Sequence, residues 1–280
     1  MSGFDAEWLT LREPVDARAR SKAVLQVLRR WAVRHRTKGA RPLRIHDLGA
    51  GTGSNMRLLA PKLPVWQAWT LLDDEPVLLA AAVRRDRAGQ PAGSRTPWRA
   101  SVRAETCDLS VASRLRARLC DSDLVTASAL FDLVSAAWCR RLVMSVAAPG
   151  NALYVALTCD GRLDFSPADP LDAEVRALFA RHQRSDKGFG PALGSAAAPA
   201  LARLCAAAGA NVRIGHSDWR LGPADAALLC ALVRGWVGAA CEVAPERAAE
   251  LAAWADRRGT QISMGTLHVV VGHRDLLAIW

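Results

Sequence analysis

The stretch that decides the fold is Asp47-Leu48-Gly49-Ala50-Gly51-Thr52-Gly53. It follows a short apolar run at residues 43–46 and precedes a helical pattern at residues 54–63. A strand, a glycine-rich turn and a helix in this order form a cradle for a nucleotide. Glycines let the backbone approach a ligand closely, and the helix N-terminus presents free N–H groups. The stretch therefore predicts a nucleotide site at the end of a buried strand.

Apolar runs and helical patterns alternate on both sides of this turn, which predicts a parallel α/β sheet with helices on both faces. The expected strands cover residues 43–47, 69–73, 100–106, 123–127, 152–158, 211–219 and 266–273. The expected helices cover residues 14–35, 54–62, 76–87, 111–120, 129–146, 172–182, 197–208, 224–241 and 245–257, and a polar loop is expected at 90–97. We expect a single domain over residues 1–280. It would comprise an N-terminal helical arm (1–42), a core that binds the cofactor (43–160), and a cap with the C-terminal strands on the acceptor (substrate) side (161–280).

The composition is that of one globular domain, because 280 residues with 51% hydrophobic content can bury a large core. No uninterrupted apolar run approaches the roughly 20 residues of a membrane helix, and no signal-peptide pattern begins the chain. The seven cysteines have no CxxC spacing, which favours reduced thiols over disulfides or a zinc site. We expect a cytoplasmic protein that uses neither a membrane nor a metal.

The charge is strongly positive, with 37 basic and 27 acidic residues and a net charge of +10. Such a surplus is typical of proteins with anionic partners, including nucleic acid and phosphorylated substrates. Lysine, however, occurs at only four positions, and no dense basic run carries interleaved aromatic residues. The arginine surplus on an alanine-rich background indicates codon bias, and we do not expect nucleic acid as a partner.

Acidic residues follow the second and third expected strands, at Asp73-Asp74 and at Asp108. With its acid-x-Gly-x-Gly-x-Gly form, the glycine turn resembles motif I of class I S-adenosylmethionine-dependent methyltransferases. The usual dinucleotide fingerprint is Gly-x-Gly-x-x-Gly, and it shares the acid after the second strand. Asp108 after the third strand is the more discriminating of these acids.

The resemblance implies a seven-stranded Rossmann-like methyltransferase sheet, with its last strand antiparallel, an N-terminal helix and helical cap insertions. It implies S-adenosylmethionine as the methyl donor. Ribose binding falls on Asp73, or on Asp74 if the strand register shifts by one residue, and adenine contact falls on Asp108 and Leu109. The remaining implied cofactor residues are Asp47, Gly49, Ala50, Gly51, Gly53 and Ser128. Taken singly, Asp47 could instead serve the backbone of the turn, and Asp108 could cap a helix.

The methyl acceptor is expected beyond the fourth and fifth strands, because ligands of open α/β sheets bind past the C-terminal strand ends. Segment 128–132 resembles that of methyltransferases acting on small molecules, and Asp132 is a candidate acceptor contact. It lacks the proline motif that amino-methylating nucleic-acid enzymes usually carry there. This difference favours a small molecule as the acceptor.

The loop at residues 182–194 is the second candidate for the acceptor side, because glycine-rich mobile loops with polar residues make good lids. As a lid it would give His182 or Asp186 a proton-accepting role. It would make Arg184 or Lys187 an anchor for an anionic acceptor. A solvated connection between two helices explains the same residues equally well.

These features predict methyl transfer from S-adenosylmethionine to a small-molecule acceptor by in-line displacement, which needs mainly alignment and exclusion of water. Two alternatives remain open. The positive charge favours an RNA methyltransferase, and the absence of an identifiable catalytic motif favours a protein that binds the cofactor without catalysis.

Overall fold

The computed structural model describes residues 6–36, 41–89 and 100–280. The polar loop expected at 90–97 and the first five residues of the N-terminal arm lie outside these ranges. The helices are α1 (Ala6–Ala19), α2 (Lys22–Arg36), α3 (Ser54–Leu59), α4 (Pro76–Gly89), α5 (Ala112–Leu119), α6 (Ala136–Val146), α7 (Asp172–Gln183), α8 (Ala197–Ala207), α9 (Ala226–Val243) and α10 (Ala248–Ser263). The strands are β1 (Leu43–Leu48), β2 (Gln67–Asp73), β3 (Ala100–Thr106), β4 (Leu124–Ser128), β5 (Ala152–Ser166), β6 (Asn211–His216), β7 (Trp219–Leu221) and β8 (His268–Ile279).

The strands form one sheet in the order β3-β2-β1-β4-β5-β8-β6, and the short β7 also pairs with β8. Strands β1 to β5 pair in parallel. Strand β8 runs antiparallel to β5, β6 and β7. The expected α/β sheet with an antiparallel last strand is confirmed. Because the C-terminal ends of β1, β2 and β4 lie side by side, their loops meet at one edge of the sheet.

The predicted number of strands was wrong, since the described residues form a sheet of eight strands where seven were predicted. The run predicted at 211–219 breaks at Ser217 and Asp218 into β6 and β7. There the Asp218 carboxylate accepts hydrogen bonds from Arg162, at 2.5 Å, and from the backbone N–H of His273, at 3.3 Å. These side-chain contacts interrupt the regular pairing with β8 and turn the chain.

Strands β5 and β8 are much longer than their apolar patterns predicted. They pair with each other from Ala152–Ile279 at one end to Ser166–His268 at the other, with register shifts near Val155 and Cys159. The shifts disturb the alternation of side chains between the two faces, which is what a sequence pattern detects. Strand β5 thus continues through residues 159–166, beyond the expected strand at 152–158.

The N-terminal region predicted as one helix over 14–35 is two helices, α1 and α2. The break falls at Ser21, whose backbone N–H donates to Oδ2 of Asp275 at 2.9 Å. Asp275 is fully buried and also accepts from the Tyr154 hydroxyl and the Leu157 N–H. Because the Ser21–Asp275 contact breaks the helix here, α1 can cross the C-terminal ends of the strands. At the same break, Arg20 points into the interior.

Helix α9 and the turn before it, Pro223–Val243, have the length and mean hydropathy (1.6) of a membrane span. The stretch is interrupted by Arg234, and α9 packs against α1, α7 and α10. Its inward side chains, among them Leu228 and Trp236, belong to the apolar core. Core helices meet the same two criteria, so length and composition do not assign this helix to a membrane.

Candidate functional site

A cavity of about 180 Å³ lies at the C-terminal ends of β1, β2 and β4, beneath helix α1. The glycine turn forms its floor, and Leu78 and Leu109 form an apolar wall. Of the expected cofactor residues, those that line it are Gly49, Ala50, Gly51, Asp73, Asp74, Leu109 and Ser128. Residues expected at one ligand from four separate segments are thus brought together.

At two of its glycines, the turn has both a positive φ and too little room for a side chain. Gly51 has φ +51°, and a Cβ there would lie 3.1 Å from the Cδ1 of Leu9 on α1. Gly53 has φ +78°, and a Cβ there would lie 3.0 Å from the Cβ of Ala82 on α4. Gly51 therefore keeps the cavity floor thin, while Gly53 packs α3 against α4 and does not line the cavity.

Asp73 joins the glycine turn to the end of β2. Its Oδ2 accepts the Gly51 N–H at 2.7 Å and its Oδ1 accepts the Glu75 N–H at 3.0 Å. Burial raises the pKa of the Asp73 carboxyl, opposed by these two hydrogen bonds. The neighbouring Asp74 is exposed at the cavity rim. Asp73 thus offers an organised carboxylate inside the cavity, whereas Asp74 offers a solvated one.

Asp47 lies beneath the turn and is completely buried. Its Oδ1 accepts from Nδ2 of Asn55 at 2.7 Å, and the same amide donates to Thr126 at 3.1 Å. Oδ2 of Asp47 has no hydrogen-bond partner among the described residues. Burial raises the pKa of Asp47 to about 7. This carboxyl ties β1 to α3 and does not line the cavity.

Arg20 is a buried cation next to the site, and the sequence did not reveal it. It is 5% exposed, and its Nη2 donates to Oγ of Ser128 at 2.9 Å. Its Nε and Nη1 have no hydrogen-bond partner among the described residues. Arg20 lines a second cavity of about 220 Å³, and Ser54 lines both cavities. In a chain so rich in arginine, nothing local distinguishes this one.

Of the two residues expected to contact adenine, Leu109 lines the cavity and Asp108 does not. The backbone carbonyl of Leu109 accepts from Nε1 of Trp138 at 2.8 Å. Asp108 is exposed, and its Oδ1 accepts from the N–H and hydroxyl of Ser110 at 2.9 and 2.6 Å. The carboxylate of Asp108 therefore closes its own turn. Asp132, expected to contact the acceptor, is 9% exposed and does not line the cavity either.

The other end of the cavity is apolar apart from one cation. Leu9 and Arg12 on α1 face Leu133 and Phe189 across it. The Arg12 guanidinium donates to Asp16 at 2.8 Å, in a pair that is almost completely buried, and lies over the ring of Trp219, 5.5 Å from its centroid. The Arg12 charge is thus neutralised within the wall.

The loop at 182–194 reaches the cavity through Phe189 and not through the four polar side chains singled out from the sequence. His182 Nε2 lies 3.0 Å from Glu242 on α9 and 3.4 Å from Nζ of Lys187. The carboxylate of Asp186 accepts two backbone N–H groups of its own loop, from Gly188 and Gly190. Neither these three residues nor Arg184 line the cavity. The geometry therefore corrects this part of the prediction: the group that the loop contributes is an aromatic ring.

A cluster of possible metal ligands lies apart from this cavity, at Asp160, His216 and Asp218. Arg162 donates to both carboxylates, and Arg274 donates to Asp160 at 3.0 Å and contacts His216 at 2.7 Å. Guanidinium groups thus already satisfy these ligand atoms, and the cluster is a surface charge network.

The order and directions of the strands match the Rossmann-like methyltransferase sheet that the sequence resemblance implied. No protein-family model matches the chain, and no curated protein matches it either.

Solved structures resemble the chain at low sequence identity. A methyltransferase from Thiobacillus denitrificans, in complex with S-adenosylhomocysteine, is 16% identical over 93% of this chain and 92% of that one, with TM-score 0.45. The cyclopropane synthase MmaA2 from Mycobacterium tuberculosis is 12% identical over 90% and 83%, with TM-score 0.43. An O-methyltransferase family protein from Burkholderia thailandensis is 19% identical over 69% of this chain, which spans about half (54%) of that protein, with TM-score 0.42.

Proposed function

We propose that this protein transfers a methyl group from S-adenosylmethionine to a small-molecule acceptor. The observation that carries the proposal is the Asp73 carboxylate, bonded to the Gly51 N–H at 2.7 Å on the floor of the cavity. A buried carboxylate beside a glycine turn suits a ligand that carries a hydroxylated sugar. The part of the ligand next to that sugar must approach the protein backbone closely, which the glycines allow. When bound, the cofactor supplies a methyl group activated by a sulfonium centre.

The residues of the cavity fit the parts of this cofactor. Asp73 has the acceptor oxygens that ribose hydroxyls require, and Leu78 and Leu109 form the apolar wall that an adenine ring requires. Arg20 does not line this cavity, but it donates to Ser128, which does, and its Nε and Nη1, which have no partner among the described residues, suit an anionic group such as a carboxylate. Each group of the chain thus has a counterpart of matching chemistry in one ligand.

The acceptor end supports a small molecule over RNA. Leu9, Leu133 and Phe189 enclose it, and α1 covers it. Its cation, Arg12, is already paired with Asp16, so little free charge is available to a phosphate or another anion. The chain's part in the reaction is then to align the acceptor with the methyl group and to exclude water.

Titration calorimetry of the full chain with S-adenosylhomocysteine tests the proposal. We expect one binding site per chain, together with transfer of labelled methyl from S-adenosylmethionine into the small-molecule fraction of a cell extract. Folded protein that binds neither compound would refute the proposal. Binding without transfer to any extract component would favour the non-catalytic alternative.

Arg20→Ala is expected to weaken S-adenosylhomocysteine binding by roughly 10- to 100-fold, because a charged hydrogen bond contributes about 1.5–3 kcal/mol. Methylthioadenosine lacks the amino-acid carboxylate, so its affinity should be the same for the variant and the wild type. Calorimetry with both ligands measures the difference. Arg18→Ala is the matched control, since Arg18 is an exposed neighbour paired with Asp225. An equal loss of affinity for both ligands would contradict the assignment of Arg20 to the carboxylate.

A further inference from the structure

A groove of about 690 Å³ lies between helix α2 and the turn at residues 60–64 that follows α3. Lys22 and Arg29 of α2 line one wall, and Lys62 of the turn lines the other. All three are exposed, and none of them forms an ion pair with a described residue. Lysine occurs at only four positions in the chain, and two of these line the groove. The groove therefore presents three cations that the described part of the chain does not neutralise.

The sequence of α2 explains how these cations come together. The helix carries five basic residues and no acidic one, and the turn and strand start at residues 60–66 have no acid either. The apolar side of α2 packs into the core, where Val24 and Trp31 are buried. Residues seven positions apart lie on the same face of a helix, so Lys22 and Arg29 both point outward.

Exposed apolar side chains lie close to the cations on both walls. Val33, one helical turn beyond Arg29 on the same face of α2, is 42% exposed. Trp66, two positions after the groove residue Pro64, is 52% exposed. Tryptophan beside lysine and arginine is typical of protein surfaces that rest on a lipid bilayer, where the ring lies at the level of the head groups. A dissolved phosphate compound would satisfy the cations but leave both apolar side chains in water.

We propose that this surface, the α2 face, rests on an anionic membrane, with the phosphates of lipid head groups in the groove. The α2 face comprises Lys22, Arg29, Val33, Lys62 and Trp66. The cations attract the anionic head groups, and the valine and the indole enter the boundary between head groups and acyl chains. The inference goes beyond the proposed function and does not depend on it.

Nucleic acid fits the α2 face less well, although it carries the same phosphate chemistry. Proteins that hold single strands stack successive bases on aromatic side chains. No described aromatic residue lines the groove, and Trp66 beside it offers one ring. The exposed valine has no counterpart in a phosphodiester chain.

Attachment to a membrane surface differs from spanning a membrane. The expectation that the chain uses no membrane followed from the lack of an apolar run of roughly 20 residues. A protein that lies on a bilayer needs no such run, because several cations and a few apolar side chains suffice. The net charge of +10 strengthens the attraction to an anionic surface.

Co-sedimentation of the full chain with vesicles tests the proposal at physiological ionic strength. One set of vesicles contains phosphatidylglycerol and phosphatidylcholine, and the other contains phosphatidylcholine alone. We expect binding to the anionic vesicles only. The triple variant Lys22→Gln, Arg29→Gln, Lys62→Gln should weaken binding by about 100-fold, roughly fivefold per cation. Trp66→Ala should weaken it by about 3- to 10-fold, because the indole no longer enters the interface.

The matched control is the triple variant Arg140→Gln, Arg141→Gln, Arg203→Gln. These arginines are exposed on α6 and α8, whose buried side chains belong to the apolar cluster on the other face of the sheet. The control removes the same charge, and we expect a loss below about 3-fold, since salt screens charges beyond about 8 Å. Equal losses in the two triple variants would overturn the proposal, because net charge alone would then explain the binding.

Three further outcomes would also overturn the proposal. The first is wild type that binds both kinds of vesicle equally or binds neither. The second is unchanged vesicle binding in Trp66→Ala. The third is wild type that binds a uridine homopolymer or glycerol 1-phosphate through the three cations but does not bind vesicles, which would assign the groove to nucleic acid or to a dissolved phosphate compound. Circular dichroism checks that each variant is folded, and calorimetry with S-adenosylhomocysteine reports on the proposed function separately.

Discussion

Asp73→Ala is expected to weaken S-adenosylhomocysteine binding by about 100-fold or more. The variant loses the carboxylate that we propose as the acceptor for two sugar hydroxyls, and it also frees the Gly51 N–H, which Asp73 now fixes at 2.7 Å. Two charged hydrogen bonds at about 1.5 kcal/mol each correspond to about 100-fold in Kd. The measurement is titration calorimetry at fixed pH and ionic strength.

Asp74→Ala is the control for this prediction, because Asp74 is the next residue and also lines the cavity, but is exposed. It removes the same charge from the same neighbourhood. We expect a change in Kd below about 3-fold, since exposed charges interact weakly through water. The reverse ranking of the two variants would move the sugar contact to Asp74 and shift the ligand towards the cavity rim.

Asp172→Ala is expected to lower the free energy of unfolding by about 3–5 kcal/mol, the cost of leaving a buried charge without its partner. Arg258 is completely buried and donates to the Asp172 carboxylate. Its guanidinium lies over two rings, 4.8 Å from the centroid of Phe165 and 5.5 Å from that of Trp254. Asp172 also accepts from Nε1 of Trp254 at 2.9 Å. Urea unfolding followed by circular dichroism measures the loss.

Glu250→Ala provides the comparison, because Glu250 forms an exposed pair with Arg247 at a spacing of three residues. Exposed pairs contribute about 0–1 kcal/mol, so this variant should unfold close to wild type. Adding Arg258→Met to Asp172→Ala should recover part of the loss, since an apolar side chain does not need the missing carboxylate. Equal midpoints for the two single variants would show that Arg258 finds other compensation.

What could be predicted from the sequence is what depends on neighbours along the chain. The glycine turn, Asp73 and Leu109 each lie at the end of a strand that its own apolar pattern reveals. In a parallel sheet, those ends meet at one edge whatever the rest of the fold does. The cavity floor and the carboxylate of Asp73 beside it therefore followed from local patterns.

What could not be predicted depends on contacts between distant residues. Arg20 enters the interior because Ser21 bonds Asp275, which lies 254 positions away in the chain. In the loop around Phe189 the sequence pointed to the polar residues. In the structure, the ring of Phe189 packs against Trp138 and lines the cavity instead. Sequence patterns show which side chains carry chemistry, but the tertiary contacts decide which of them face a ligand.

Trp138 gives this arrangement a practical consequence. Its indole N–H holds the carbonyl of Leu109 at one wall, and its ring meets that of Phe189 edge to face, with centroids 5.8 Å apart, at the other. Replacing Phe189 by a smaller residue to widen this end of the cavity would also remove the ring that packs against Trp138, and with it part of the support for the wall at Leu109. Under the proposed function, a change at Phe189 should therefore alter the range of acceptors and the affinity for the donor together.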